Sequence, residues 1–473
     1  MSNSSALLIL GLVTAAMMAA PYLLPTQQNR QVPDALSGEE SPRTPTNLAE
    51  APGQHAFPGA EGFGRYARGG RGGTVILVTT LADRGPGSLR ACIEATMPRV
   101  CIFRVGGVIR FSTTRPIIRN PFITIAGQTA PGGGILITHG GGPMGFTPIV
   151  VKETHDVVIR HIRVRTDLNG EQRGSNGAFL FEHSHNVIFD HVSGAWSLDQ
   201  IMSGYGVNDN ITVSNSIFTQ GIPRHDKCAL LSSHPRHAQN ISFIRNICAH
   251  NGDRNPDINF PPGSCIEVIN NVLYNAESEF AEIHELDGGT PVSLIANVFR
   301  KGPNSRSDIA AVDRVLVAST GASSIYLSGN RLDGVRNLMT LPVKFSLAAK
   351  PVCPVQSRVM SASRAYQEVL GKAGAFPRDA LDLRTVREVR EQGGRILSDA
   401  ASVNGPRPLP PIAPGKPYAD ADGDGMSDDW EKANGLDFQR RDMWEDRDGD
   451  GWHNLSEFLD FAHRQVLAGR TLQ

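Results

Sequence analysis

The runs VVIRHIRV (157–164), NVIFDHVS (186–193), NITVSNSIF (210–218), NISFIRNIC (240–248), IEVINNVLY (266–274), VSLIANVF (292–299) and SIYLSGNRL (324–332) share one form. Each is a stretch of β-branched residues followed by a polar residue and another apolar pair. Aligned, they place His161, Asp190, Asn215, Asn246, Asn271, Asn297 and Asn330 at one equivalent position, with spacings of 29, 25, 31, 25, 26 and 33 residues. Strands this short at this period fit neither a helical repeat nor a sandwich built of hairpins. They fit a coil of three short strands per turn, in which each turn stacks on the last and Asn at a tight bend bonds its own backbone and the Asn above. Asn is otherwise depleted in strands. The expected class is therefore all-β, a right-handed parallel β-helix, with peripheral C-terminal helices and a small acidic tail.

Past residue 340 the pattern stops. SRAYQEVLGKAG (363–374) and TVREVREQGGRI (385–396) read as helices packed back along the coil. PRPLPPIAPGKP (406–417) is a Pro-rich spacer, so 406–419 is expected to join the body, 56–405, to an acidic tail at 420–461. Upstream, TQQNRQVPDALSGEESPRTPTNLAEAPGQ (26–54) lacks apolar periodicity, and 26–55 reads as a disordered linker. Residues 6–24 (ALLILGLVTAAMMAAPYLL) carry no charge, which makes 1–25 a signal peptide or a membrane anchor and the protein secreted or cell-envelope bound.

Across 473 residues, 46 Lys+Arg oppose 47 Asp+Glu, and 49 Gly with 31 Pro are spread along the chain. That composition excludes a coiled coil, a disordered chain and a multispan membrane protein. The near-zero net charge hides a division: residues 416–461 hold 14 Asp/Glu and 5 Lys/Arg, which leaves the rest with a net charge of +8. A basic body attracts polyanions, and charge alone does not choose among them. The six cysteines form no CxxC pair, which argues against a zinc cluster and leaves one to three disulfides, Cys92 with Cys101 first among them. The 14 histidines show no HxxxH or HExxH spacing and read mostly as polar groove or turn residues.

The tail carries the most specific local pattern. Asp420, Asp422, Asp424, Gly425 and Glu431 fall at positions 1, 3, 5, 6 and 12 of an EF-hand calcium loop, and Asp446, Asp448, Asp450, Gly451 and Glu457 repeat it. The loops start 26 residues apart, too close for two full helix-loop-helix hands. They resemble the shorter calcium loops of dockerin and thrombospondin type 3 repeats, and a fully coordinated ion there serves stability or attachment rather than catalysis.

AFPGAEGFGRYARGGRGGTVILVTTLADRGPGSLRACIE (56–94), FRVGGVIRF (103–111), ITIAGQTAPGGGI (123–135), VIFDHVSGAWSLDQ (187–200) and AHNGDRNP (249–256) together resemble successive motifs of bacterial pectate lyases of the pectate lyase C type. The resemblance spans about Ala56 to Leu397. It implies a parallel β-helix that binds an acidic plant polysaccharide, pectate or pectin, and cleaves it by calcium-assisted β-elimination, with no nucleic-acid partner. It also implies a monomer that meets a membrane only through the N-terminal segment.

By the same resemblance the base is Arg254, in the R-x-P context RNP, and Lys227 of HDKCALLSS holds a substrate carboxylate. An arginine is an awkward base because its charge is so persistent. Asp190 and Asp199 stand where relatives carry acidic residues near the metal, and on adjacent coils they could share an ion. Asp199 is the better placed. Where relatives have further acidic residues this chain has Asn176 and Gly177, with Glu171 or Glu182 as substitutes, and Asp257 and Asn259 occupy the stretch of a usual second arginine. These departures keep open a non-catalytic pectin-binding β-helix, or a lyase for methylated pectin or another uronate polymer.

Overall fold

The computed structural model describes residues 53–112, 114–139, 146–166, 176–223, 225–231, 237–285, 288–316, 321, 323–398 and 409–472. The expected export segment, almost all of the linker and Glu171 lie outside these residues. Among the described residues no helix is long and apolar enough to cross a membrane.

The body is a parallel β-helix of three sheets. The first has ten strands, from Thr74–Val78 to Ser324–Ser328; the second has nine, from Gly107–Phe111 to Arg331–Asp333; the third has nine, from Ile117–Ile118 to Asn337–Met339. The chain passes through all three in each full turn, and neighbouring strands pair in parallel, for example Phe189 opposite Ile159 and Val213. Stacking puts like residues in register. Ile159, Phe189, Val213, Phe243, Val268 and Leu294 form one inward column with no exposed surface. Aliphatic and aromatic side chains fill the coil, so the core forms as the turns stack and not within any one turn.

The bend between the first and second sheets carries the asparagines. Asn246 N–H donates to Asn271 Oδ1 (2.8 Å), Asn271 N–H to Asn297 Oδ1 (2.9 Å) and Asn297 N–H to Asn330 Oδ1 (2.9 Å), while each Nδ2 donates back to a carbonyl of the preceding turn. These four share a column. The other three aligned residues do not. His161 and Asn215 sit one position earlier, at φ 53° and 49°, and Asp190 ends its strand two positions earlier. Val192 and Ser216 hold the ladder position on their turns, where Val192 N–H donates to Ser216 Oγ and Ser216 N–H to Asn246 Oδ1. The difference arises because the bend has two residues between strands, and similar polar residues occupy either one.

All six cysteines pair: Cys92–Cys101 as expected, with Cys228–Cys248 and Cys265–Cys353. Helices Ala362–Lys372 and Ala380–Glu391, capped by Ser361 and Asp379, lie on the outer face of the second sheet, where Tyr366, Val369, Leu370 and Val389 meet Ile247, Val272 and Val298. The tail covers the first strands of the first sheet, with Tyr418, Met426, Trp430, Leu455 and Phe458 packed on Val75, Val100 and Ile102.

Candidate active site

Where the chain passes from the second sheet to the third, three expected site residues meet. Asp199, Lys227 and Arg254 precede the strands Met202–Tyr205, Ala229–Leu230 and Asp257–Ile258, on three successive turns. Backbone bonds fix the stack: Ile201 N–H donates to Lys227 O (3.2 Å), Ala229 N–H donates to Arg254 O (3.0 Å), and Lys227 bridges Asp253 in parallel. Arg254 has φ 52°, a left-handed conformation that costs a non-glycine residue about 1–3 kcal/mol and tends to mark functional positions. The next residue is pinned by an Asn255 N–H bond to Phe280 O at 2.7 Å.

Acidic residues lie against the two cations: Asp257, noted in the sequence only as a departure from the usual second arginine, and Asp253 and Glu282, which the sequence reading did not single out. Arg254 Nε lies 3.2 Å from Asp257 Oδ2 and 3.9 Å from Glu282 Oε2. The Lys227 ammonium donates to Asp253. His284 Nδ1 bonds Asp257 Oδ1 at 2.9 Å, and its Nε2 lies 3.5 Å from Glu282 Oε1. Burial, and then the Asp257 charge, push the Glu282 carboxyl up to about 7. The hydrogen bond to Asp257 raises the His284 imidazole, and burial raises the carboxyls of Glu279 and Asp226. The one available sequence signal was the run EFAEIHE (279–285), whose alternation places Glu282 and His284 on the same face of the strand Ala281–Glu285.

Asp199 accepts the Gln200 N–H (2.8 Å) and lies 3.1 Å from His225 Nε2, so its carboxylate faces polar partners one turn from Lys227. Gly177 offers no place for a longer side chain, since a Cβ there would fall 2.6 Å from Gln200 O. Glu182 is taken by Lys152 Nζ at 2.5 Å.

Asp190 is not part of this group. It lies at the bend between the first and second sheets, 1% exposed, accepting from Arg160 Nε (3.0 Å), His191 Nδ1 (2.8 Å), Ser214 Oγ (2.8 Å) and Asn215 Nδ2 (2.8 Å). Asp190, which the resemblance placed near the metal, is instead the centre of a buried hydrogen-bond network, so the sharing of an ion by Asp190 and Asp199 is withdrawn.

In the tail, ligand atoms of Asp420, Asp422 and Asp424 lie within 4.8 Å of one another, as do those of Asp424, Glu431 and Asp442. Among the described residues, Asp420 Oδ2, Asp422 Oδ2, Asp424 Oδ2 and both Glu431 oxygens are buried without a hydrogen-bond partner. Burial and mutual repulsion push Asp424 up to about 7 and Glu431 up to about 8. Asp420, Asp422 and Asp424 each accept a backbone N–H through Oδ1, and Arg104 lies 3.5 Å from Asp420 Oδ2; the remaining buried oxygens converge in a way that fits a hard divalent cation. The second loop is more open: Asp446, Asp448 and Asp450 are exposed, Gly451 N–H donates to Asp446 Oδ2 (3.0 Å), and burial with the Asp448 charge lifts Glu457 to about 7.

No family model matches the chain. It is 35% identical over 397 residues to "Probable pectate lyase C" of Neosartorya fischeri, across 81% of this chain and 88% of that protein. It is 34% identical over 402 residues to the protein of the same name from Aspergillus terreus, across 82% and 90%. Among solved structures, jun a 1 from cedar pollen is 17% identical over 67% of this chain and 92% of its own, at a TM-score of 0.47. The two sequence relatives are fungal, so they support the pectate lyase resemblance without its bacterial qualifier. A shared third or more of residues over most of both proteins is enough to conclude that this chain belongs to the pectate lyase family.

Proposed function

We propose that this chain cleaves polygalacturonate by β-elimination, with Arg254 taking the C5 proton and Lys227 holding a uronate carboxylate. The observation that carries this reading is the placement of Lys227 and Arg254 on successive turns at one corner, in a chain of this family. In the elimination the C5–H bond breaks as its proton passes to the base, the electrons form the C4–C5 double bond, and the C4–O bond to the next sugar breaks. Charge builds on the carboxylate beside C5, where an ammonium is well suited to oppose it.

The Arg254 guanidinium is engaged by Asp257, a contact that proton loss from Arg254 would weaken. Glu282 moderates this: with its carboxyl near 7 it is partly protonated at neutral pH, which reduces the negative charge next to Arg254 Nε.

Calcium is the cofactor of this proposal. In the groove Asp199 can supply one oxygen, so a bound ion would complete its shell from water and from the substrate's own carboxylates, and would bind together with substrate. It would supply charge neutralisation at the uronate. In the tail, Asp420, Asp422, Asp424 and Glu431 would hold one ion, and Asp446, Asp448, Asp450 and Glu457 a second, both structural. The apolar segment 6–24 and the three disulfides agree with an exported protein.

The test is ultraviolet absorbance of the unsaturated product on polygalacturonate, with calcium, with chelator, and on methylated pectin in parallel. A calcium-dependent rise supports the proposal. A rise on methylated pectin alone would redirect it to that polymer. One observation favours a second reading, pectin binding without cleavage: Arg254 Nε is already paired with Asp257 at 3.2 Å and lies 3.9 Å from Glu282. Binding of the polymer by folded protein without absorbance would select it.

A further inference from the structure

We propose that His161, His191 and His463 form a transition-metal site of the zinc class that fastens the C-terminal helix Asn454–Leu467 to the coil. His161 and His191 occupy the same bend position on consecutive turns, with rings stacked at 5.0 Å and 18°. His463 reaches them from that helix, with His161 Nε2 donating to His463 Nδ1 at 2.9 Å and the His191 and His463 rings 4.8 Å apart. One nitrogen of each lies within 4.8 Å of the others. Imidazole nitrogens are ligands for zinc and its neighbours and poor ones for calcium.

The second observation is an unused lone pair. His191 is 5% exposed, its Nδ1 donates to Asp190 Oδ2, and its Nε2 therefore carries a lone pair. Among the described residues that Nε2 is buried with no hydrogen-bond partner. A carboxylate on the far nitrogen of a ligating histidine is the usual means of fixing its tautomer and raising its basicity. Asp190, whose groove role is withdrawn, thus acquires this one.

The surrounding charges are accounted for. Arg160 lies 3.0 Å from Asp190 and stacks on Phe57; Arg245 pairs with Glu61; Arg464 pairs with Asp460. One rearrangement is required. Phe376 N–H donates to His161 Nδ1 at 3.2 Å, which puts the His161 proton on Nε2; loading moves that proton to Nδ1 and opens the Phe376 contact.

The test uses the untagged full chain, stripped of metal and then saturated with calcium so that the carboxylate loops are filled. Zinc is titrated calorimetrically, with cobalt(II) as an optical and NMR probe. We expect one equivalent bound, a zinc-dependent rise in melting temperature, and at least tenfold weaker binding in His463→Gln. We also expect three hyperfine-shifted imidazole N–H signals with cobalt. No zinc binding by the wild type, or equal binding by His463→Gln, overturns the site. Should His463→Gln fail to fold, the cobalt NMR decides alone, since fewer than three imidazole signals overturns it. None of these readouts depends on lyase activity.

Discussion

Arg254 and Asp257 are three residues apart, and Arg254 Nε lies 3.2 Å from Asp257 Oδ2. The cis Asn255–Pro256 bond lies between them, and the same carboxylate bonds His284 through its other oxygen. Asp257 thus links the proposed base to a second ionisable group on the next turn, and the behaviour of Arg254 depends on residues outside its motif.

Replacing Arg254 tests the chemistry directly. Arg254→Ala is expected to lower kcat on polygalacturonate by about 10²–10⁴-fold, the range for loss of a general base. Its far-UV spectrum should match the wild type, while the melting temperature falls modestly, because the 3% exposed Asp257 carboxylate loses its cationic partner. Activity within a few-fold of wild type would remove Arg254 from the reaction.

Lys227→Met should act more on substrate capture. A charge-assisted bond to a carboxylate contributes about 1.5–3 kcal/mol, so kcat/KM should fall by roughly 10–150-fold. Steady-state kinetics on oligogalacturonates checks this. An unchanged kcat/KM would mean that Lys227 serves only its bond to Asp253.

Calcium and pH should act together on the tail. Asp424 and Glu431, at about 7 and about 8, bind protons more tightly folded than unfolded. Their contribution to calcium-free stability is greatest below about pH 4 and is lost as pH rises through their folded values. The calcium-free melting temperature should therefore fall between about pH 5 and pH 8, and saturating calcium should remove most of that fall. Glu431→Gln should flatten the calcium-free profile and reduce the calcium-induced shift. Scanning calorimetry across pH, with and without calcium, reads each arm.

Asn271→Ala should be strongly destabilising for a single substitution on a bend. It removes the acceptor for Asn246 N–H and two bonds made by Asn271 Nδ2, including one to Phe243 O. Leaving that N–H buried and unmet costs about 1–3 kcal/mol, with the lost donor bonds in addition. Denaturant unfolding against Asn330→Ala, at the open end of the ladder, gives the comparison; equal losses would contradict the ladder.

The coil was legible because its information is local and repeated. Runs such as NISFIRNIC and IEVINNVLY show short β-branched strands and an Asn bend without reference to the rest of the chain. The carboxylate spacing of the tail was legible for the same reason, and Asp420, Asp422 and Asp424 do converge. The resemblance singled out Lys227, Arg254 and Asp199, and the fold places those three on adjacent turns.

Other features depended on which distant segments the coil brings together. Asp190 looked like a ligand from the motif around it, and its role became clear only with Arg160 on the preceding turn and Ser214 on the next. Asp253 meets Glu279 and Glu282 because consecutive turns stack in parallel register, and no pattern within either run encodes that. His463 reaches His161 across 302 residues. The sequence by itself determined the strand-and-bend repeat, the tail's ligand spacing and the family motifs, because each rests on bonds between near neighbours. Only the tertiary structure decided which acids surround Arg254, how the other four cysteines pair and where the tail docks, because those energies depend on burial and on charges brought together by stacking.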